Sequence, residues 1–267
     1  MTRGWEIQRW GGYLKATGRP QTTVEMRTYH LERLAADYDD PGAVTFDDLV
    51  EWLAAHEWAP NTRRSYRGSL RSYWSWRLAT GRAAASPAHL LPPVRVPRGL
   101  PRPTPEDAYR AAIASASRDP RALMAIQLAA QCGLRRGEIA RARREDLEPA
   151  LIGYTLRVEG KGGHIRMVPL PDPLAATIVR APAGWLFPSP HGKHLTPHHL
   201  GKIVVKHLPD GYTTHTLRHR CGTVSYGATR DLRAVQELLG HAKPETTAIY
   251  TKIDEAAVRA AMNAAAA

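Results

Sequence analysis

The sequence predicts a mostly α-helical protein with one small antiparallel β-sheet, divided into two domains. Three observations carry this. Apolar residues recur at helical spacing along most of the 267 residues. The stretch "YTLRVEGKGGHIRMVPL" instead reads as two strands joined by a Gly-rich turn. Between the halves, "SPAHLLPPVRVPRGLPRPTP" holds seven prolines and cannot be continuous helix. Hydrophobic residues make up 43% of the chain, enough for two packed cores. The expected limits are a helical domain over 1–90, a Pro/Arg-rich linker over 91–103 and a mixed domain over 104–267.

The first domain reads as four helices. One covers roughly Trp5 to Thr17. A second follows Pro20, capped by Thr22 or Thr23, with Met26, Tyr29, Leu31 and Leu34 as its apolar positions. Thr45 and Asp48 have capping-box spacing for a third, whose apolar face is Phe46, Leu49, Val50 and Leu53. The fourth runs from about Asn61 to Ala79 and stops at Gly81, with Leu70, Tyr73, Trp74 and Leu78 as a buried stripe. Trp74 and Trp76 are read as packing residues.

The second domain opens on Thr104-Pro105-Glu106-Asp107, where cap, proline and acidic first turn announce a helix to about Ser115. Another holds Leu123 to Leu128, and "GLRRGEIARA" begins a third after Gly133. Past the two strands, helices are expected from Leu174, Thr196-Pro197, Thr214, Asp231 and Pro244, then a short Ala-rich one from Asp254.

Charge points to a partner. Lys and Arg number 37 against 25 Asp and Glu, a formal charge of +12, which favours a polyanion. The excess is concentrated: between Glu57 and Glu106 there is no acid, while Arg63, Arg64, Arg67, Arg71, Arg77, Arg82, Arg95, Arg98 and Arg102 all occur. Arg63, Arg67 and Arg71 recur every four residues, so one helical face should present three guanidinium groups to a phosphate backbone. With Arg95, Arg98 and Arg102 from the linker they are the expected DNA contacts. Two cysteines in no C-x-x-C spacing argue against a disulfide framework or zinc finger, and no apolar run is long enough to span a membrane. A cytoplasmic protein without cofactor is expected. His191, His194, His198 and His199 lack acidic or cysteine companions, so no metal site is expected there.

Four stretches stand in order in the second half: "QCGLRRGEI", "EGKGGHIRMVPL", "HTLRH" and "LLGHAKPETTAIYTK". No single piece is enough, because H-x-x-R or a lone Tyr near a C-terminus occurs often by chance. Together they resemble the tyrosine recombinase family of phage integrases and Xer-type recombinases, over roughly Thr22 to Ile253. The resemblance implies a helical, SAM-like core-binding domain followed by a catalytic domain of tyrosine recombinase type. It also implies a catalytic set of Arg135, Lys161, His215, Arg218, His241 and Tyr250. Tyr250, which alone follows "LLGHxxxxTTxxY", would attack the phosphodiester to give a 3′-phosphotyrosine and a free 5′-hydroxyl.

Each residue type suits its task. Attack adds charge around phosphorus, so cations must be fixed there beforehand, and a guanidinium does so with two parallel hydrogen bonds. Arg135 and Arg218 are the candidates, with Glu138, three residues after Arg135, orienting and partly neutralising it. Lys161, in the hairpin turn, would protonate the departing 5′-oxygen or act as an electrostatic clamp. His215, one helical turn from Arg218, would accept the tyrosyl proton, and His241 would hydrogen-bond the phosphate.

The partners implied are double-stranded DNA with core-type attachment sites, a homotetramer on two duplexes exchanging strands through a Holliday junction, and a directionality factor where direction is controlled. About twenty residues precede the core-binding helices, so a short form lacking an arm-binding domain is expected. Val258 and Met262 mark the terminal helix as the protomer-to-protomer arm. Two departures from the family pattern are Thr216, where an acid is frequent, and Lys252, in place of a common His. The alternatives are a type IB topoisomerase-like nicking-rejoining enzyme and a catalytically idle DNA-binding regulator.

Overall fold

The computed structural model describes residues 4–97, 102–160, 163–240 and 262–263. The chain divides into two compact units, Met1–Gly99 and Leu100–Ala267, with the boundary inside the proline-rich stretch. Among the described residues no helix is long and apolar enough to cross a membrane.

The first unit contains α1 (Ile7–Ala16), α2 (Gln21–Ala35), α3 (Phe46–Ala54) and α4 (Pro60–Ala79). Its core is aromatic. Trp5 stacks on Tyr73 with ring centroids 5.5 Å apart, the Tyr73 hydroxyl donates to the Trp5 carbonyl at 2.5 Å, and Trp58 lies flat on Tyr66 at 3.8 Å. The capping box forms as expected: Thr45 Oγ1 accepts from the Asp48 amide at 3.1 Å, and Asp48 accepts from the Thr45 amide at 2.8 Å.

Several expected core positions differ. Met26, Tyr29, Phe46, Val50 and Leu78 are exposed. In α2 the buried stripe is Val24, Leu31 and Leu34, and Met26 and Tyr29 fall on another face of the helix. At the end of α4 burial passes to Trp76 and Arg77, which displaces Leu78 to the surface. Pro20 stands at the N-cap of α2, and neither Thr22 nor Thr23 caps it.

Two of the three arginines at four-residue spacing on α4 hold backbone carbonyls. Arg63 donates to the His56 carbonyl at 3.0 Å, and Arg67 donates to the Leu91 carbonyl through Nε and Nη2 at 3.0 and 2.6 Å. Arg77 is buried and donates to the Arg82 carbonyl at 3.0 Å, while Arg82 pairs with Glu6 at 2.8 Å. Much of the acid-free charge is thus used inside the unit. Arg64 and Arg95 are exposed, Arg71 is half-buried and Arg98 lies outside the described residues. Charge-assisted hydrogen bonds to a buried loop contribute about 1.5–3 kcal/mol, so Arg67→Ala should lower unfolding free energy by about that much, measured by urea titration. Arg64→Ala should change it by less than about 0.5 kcal/mol. Equal stabilities would show that the Leu91 anchor carries no weight.

The second unit contains α5 (Glu106–Ser115), α6 (Pro120–Ala130), α7 (Arg136–Ala140), β1 (Leu147–Pro149), β2 (Tyr154–Glu159), β3 (Ile165–Leu170), α8 (Asp172–Val179), α9 (Pro197–Val205), α10 (Thr214–Thr229) and α11 (Leu232–Leu239). The sheet is antiparallel in order β1-β2-β3, with Leu156 opposite both Leu147 and Val168. The sequence predicts only two of these strands, β2 and β3. Three residues of β1 are too few to show a period. Helix α6 lies at the centre of this core, and its small Ala122, Ala125 and Ala129 are fully buried where α10 packs against it.

Thr104 does not cap α5. It is buried, its amide donates to the Thr216 carbonyl at 3.1 Å, and the two hydroxyls are 2.8 Å apart. Thr216 therefore ties α10 to the segment entering the unit. Arg220 adds a second tie, to Glu106 at 2.6 Å with its guanidinium 3.8 Å over the Tyr109 ring. The helices expected from Pro244 and Asp254 lie outside the described residues, apart from Met262 and Asn263.

Candidate active site: three arginines around one glutamate

A tight turn before α7 begins the site. Gly133 adopts φ +65°, and a Cβ there would run into the Leu239 side chain and lie 3.2 Å from Cys221 Sγ. Only glycine fits. Its carbonyl accepts from Arg218 Nη1, and Arg218 Nη2 donates to the Leu239 carbonyl at 2.7 Å. Arg218 thus joins α10 to both the "GLR" turn and the end of α11.

Glu138, on α7, is the hub. Its side chain is 2% exposed, and its carboxylate accepts from the Arg135 amide at 2.8 Å, from Arg135 Nη1 at 2.8 Å and from Arg166 Nη1 and Nη2 at 3.1 and 2.8 Å. Arg218 Nη1 stands 4.0 Å away. Burial alone would push this carboxyl up, but Arg166 and then Arg135 hold it down at about 2. Three guanidinium groups against one carboxylate leave a net charge of about +2 in the cluster. An anion would be drawn there.

Arg135 is the accessible member, with 39% of its side chain exposed against 3% for Arg218. Its Nη2 also donates to the Gly240 carbonyl at 3.2 Å. Gly240 ends α11 with φ +62°, and a Cβ there would lie 2.7 Å from Arg166 Cδ. The C-terminal end of α11 therefore lies directly beside the cluster.

A cavity of about 840 Å³ opens on Arg135, Arg218 and His215, with Arg136, Lys202 and Lys206 on its other walls. No acidic side chain lines it among the described residues. The His215 imidazole is held below its ordinary range by desolvation, then by Arg218 and Arg135. Its Nε2 lies 3.0 Å from Nε2 of His219, one turn along α10. Desolvation, His215 and Arg218 bring His219 down to about 4.

Four of the residues singled out in the sequence, Arg135, Glu138, His215 and Arg218, are thus brought together. Lys161, His241 and Tyr250 lie outside the described residues. Arg102 is exposed at the surface of the second unit, its guanidinium 5.3 Å over the Tyr212 ring. Arg166 and His219 were not picked out from the sequence as site residues. A signal for Arg166 existed: it shares a strand face with Val168 and Leu170, which are buried, and a charge on a core-facing position needs a partner. Among the described residues no three His, Cys, Asp or Glu side chains are grouped to hold a metal ion.

The family model described as the phage integrase family matches residues 105–257. In sequence the chain is similar to the tyrosine recombinase XerC of Methylobacterium nodulans, 34% identical, over 88% of this chain and 82% of that protein. In structure it is similar to the XerH site-specific recombinase bound to difH substrate in a pre-cleavage complex. That likeness has a TM-score of 0.71 at 20% identity and covers 96% of this chain and 83% of that one. It is also similar to a lambda integrase tetramer bound to a Holliday junction, with a TM-score of 0.72 at 18% identity, over 93% of this chain and 78% of that one. At such identities the structural likeness shows the fold alone.

Proposed function

The chain belongs to the phage integrase family of tyrosine recombinases and is a site-specific DNA recombinase, and from that premise we propose that it cuts and rejoins DNA through a 3′-phosphotyrosine at Tyr250. The observation that carries this is the net-positive cluster of Arg135, Arg166 and Arg218 around Glu138, opening into a cavity that His215 also lines.

In this reading the scissile phosphate sits in that cavity. Arg135 and Arg218 stabilise charge on its non-bridging oxygens, and Glu138 and Arg166 keep Arg135 aimed. The Tyr250 hydroxyl gives its proton to His215 while its oxygen bonds to phosphorus. The P–O5′ bond breaks, and the departing oxygen takes a proton from Lys161. His241 hydrogen-bonds the phosphate. The phosphotyrosine bond retains the energy of the phosphodiester, so the reverse sequence rejoins strands without ATP.

The position of Gly240 supports the assignment of the nucleophile. Among the described residues no tyrosine lines the cavity, whereas Tyr250 follows Gly240 by ten residues, a span of at most about 36 Å. The larger assembly belongs to the same proposal: double-stranded DNA with core-type sites, four protomers on two duplexes, a Holliday junction, and a directionality factor where direction is controlled. The first unit is the core-binding domain, and Arg71 from it, with Arg95, Arg98 and Arg102 from the linker, are the strongest phosphate candidates. Arg63 and Arg67 are already engaged with carbonyls.

The test is a duplex nicked beside the crossover point, so that cleavage releases a short strand and traps the adduct. A covalent protein–DNA complex should form in excess EDTA, because the stabilising charges are assigned to side chains. A strict requirement for a divalent cation in this step would overturn the mechanism.

A further inference from the structure

None of the catalytic roles proposed for His215, Arg218 or Arg135 requires the contact between His215 and His219. Their Nε2 atoms are 3.0 Å apart, with ring centroids 4.3 Å apart and planes at 69°. A hydrogen bond between two imidazole nitrogens needs one donor and one acceptor. If His215 donates from Nε2, its Nδ1 is left bare and can take a proton. If His219 donates instead, His215 carries its proton on Nδ1 and cannot act as a base. The direction of this one bond therefore decides whether His215 is ready to receive the tyrosyl proton.

We propose that His219 is a positioning residue that accepts the Nε2–H of His215, so setting the tautomer of His215 and stabilising its imidazolium once the tyrosyl proton arrives at Nδ1. The proposal rests on the reading of His215 as the proton acceptor. When Tyr250 attacks, its O–H bond breaks, the proton forms an N–H bond at His215 Nδ1, and the released electron pair bonds to phosphorus. The positive charge on His215 is then shared with His219 through the Nε2 contact. On rejoining, the proton returns from Nδ1 to the leaving phenolate. The cavity that His215 lines also carries Arg135, Arg218, Lys202 and Lys206, cations that oppose an imidazolium, and no acidic side chain among the described residues. A neutral acceptor on its own helix offsets this. Burial and the neighbouring charges keep His219 neutral near pH 7, as an acceptor must be.

The experiment is single-turnover formation of the covalent complex on the nicked duplex, at saturating protein, for His219→Phe, His219→Gln, His215→Ala and the double variants. His219→Phe keeps the ring and removes the acceptor. It should slow cleavage by about 10- to 100-fold, with site binding and thermal midpoint unchanged. His219→Gln should recover most of the rate, because its amide oxygen can accept the same Nε2–H. On the His215→Ala background, His219→Phe should add no further loss. A full additional loss on that background, or a glutamine variant as slow as the phenylalanine one, would show that His219 acts by packing, and the proposal fails. If the phenylalanine lowers the thermal midpoint, His219→Leu takes its place in the same cycle. Wild-type cleavage by His215→Ala would instead overturn the role of His215 itself, a pattern distinct from a failure at His219 alone.

Discussion

Tyr250→Phe should bind its DNA site as tightly as the unaltered protein and form no covalent complex at all. The change removes one oxygen, so packing and phosphate contacts persist while the atom that would bond to phosphorus is gone. The loss should be complete because no tyrosine among the described residues lines the cavity. Tyr73 is buried, its hydroxyl pushed up to about 12 by burial. Tyr109 lies under Arg220, and Tyr66 is stacked on Trp58. Denaturing gels of the nicked substrate read the adduct, and peptide mapping of the unaltered complex reads its position. An adduct at another tyrosine, or one formed by the phenylalanine variant, would overturn the assignment.

Glu138→Gln should be the most damaging single change in the described part of the site, for stability and cleavage together. The carboxyl of Glu138 is lowered from an ordinary 4.5 to about 2 in the folded chain. A depressed folded value means stability that is fully present above the unfolded pKa and lost as pH falls through the folded one. The window here runs from about pH 4.5 down to about pH 2. At about 1.4 kcal/mol per unit, the contribution at neutral pH is roughly 3 kcal/mol. The amide keeps the shape yet leaves three guanidinium groups without their counter-charge, and breaking a buried pair costs about 3–5 kcal/mol. Urea unfolding at pH 7 should show a loss of that size, and the variant should lose less than the unaltered protein on going from pH 4.5 to pH 2. Parallel pH profiles would show that the carboxylate is not the hub. Cleavage should fall as well, since Arg135 is held by Glu138 through both its amide and its guanidinium.

The sequence by itself determined the fold class, the family and the chemical identity of the site's cations. Helical periodicity, the "YTLRVEGKGGHIRMVPL" alternation and the Pro-rich stretch depend on local rules, which is why the helices, the β2–β3 hairpin and the Thr45 capping box could be read along the chain. "GLRRGE" was equally legible, because Glu138 reaches Arg135 within a single turn. Tertiary structure alone decided which side chains share the core and which partners cross between elements. Arg166 meets Glu138 from a strand 28 residues away, and Arg218 meets Gly133 and Leu239 from 85 and 21 residues away. Arg67 spends its charge on Leu91, 24 residues on, where spacing alone suggested a free helical face. Leu78 is apolar and at a plausible spacing, yet it is exposed because Trp76 and Arg77 fill the end of α4's buried side. Periodicity names the face a helix can bury, while the neighbours that arrive from distant sequence settle how far along the helix that burial extends and which charges it consumes.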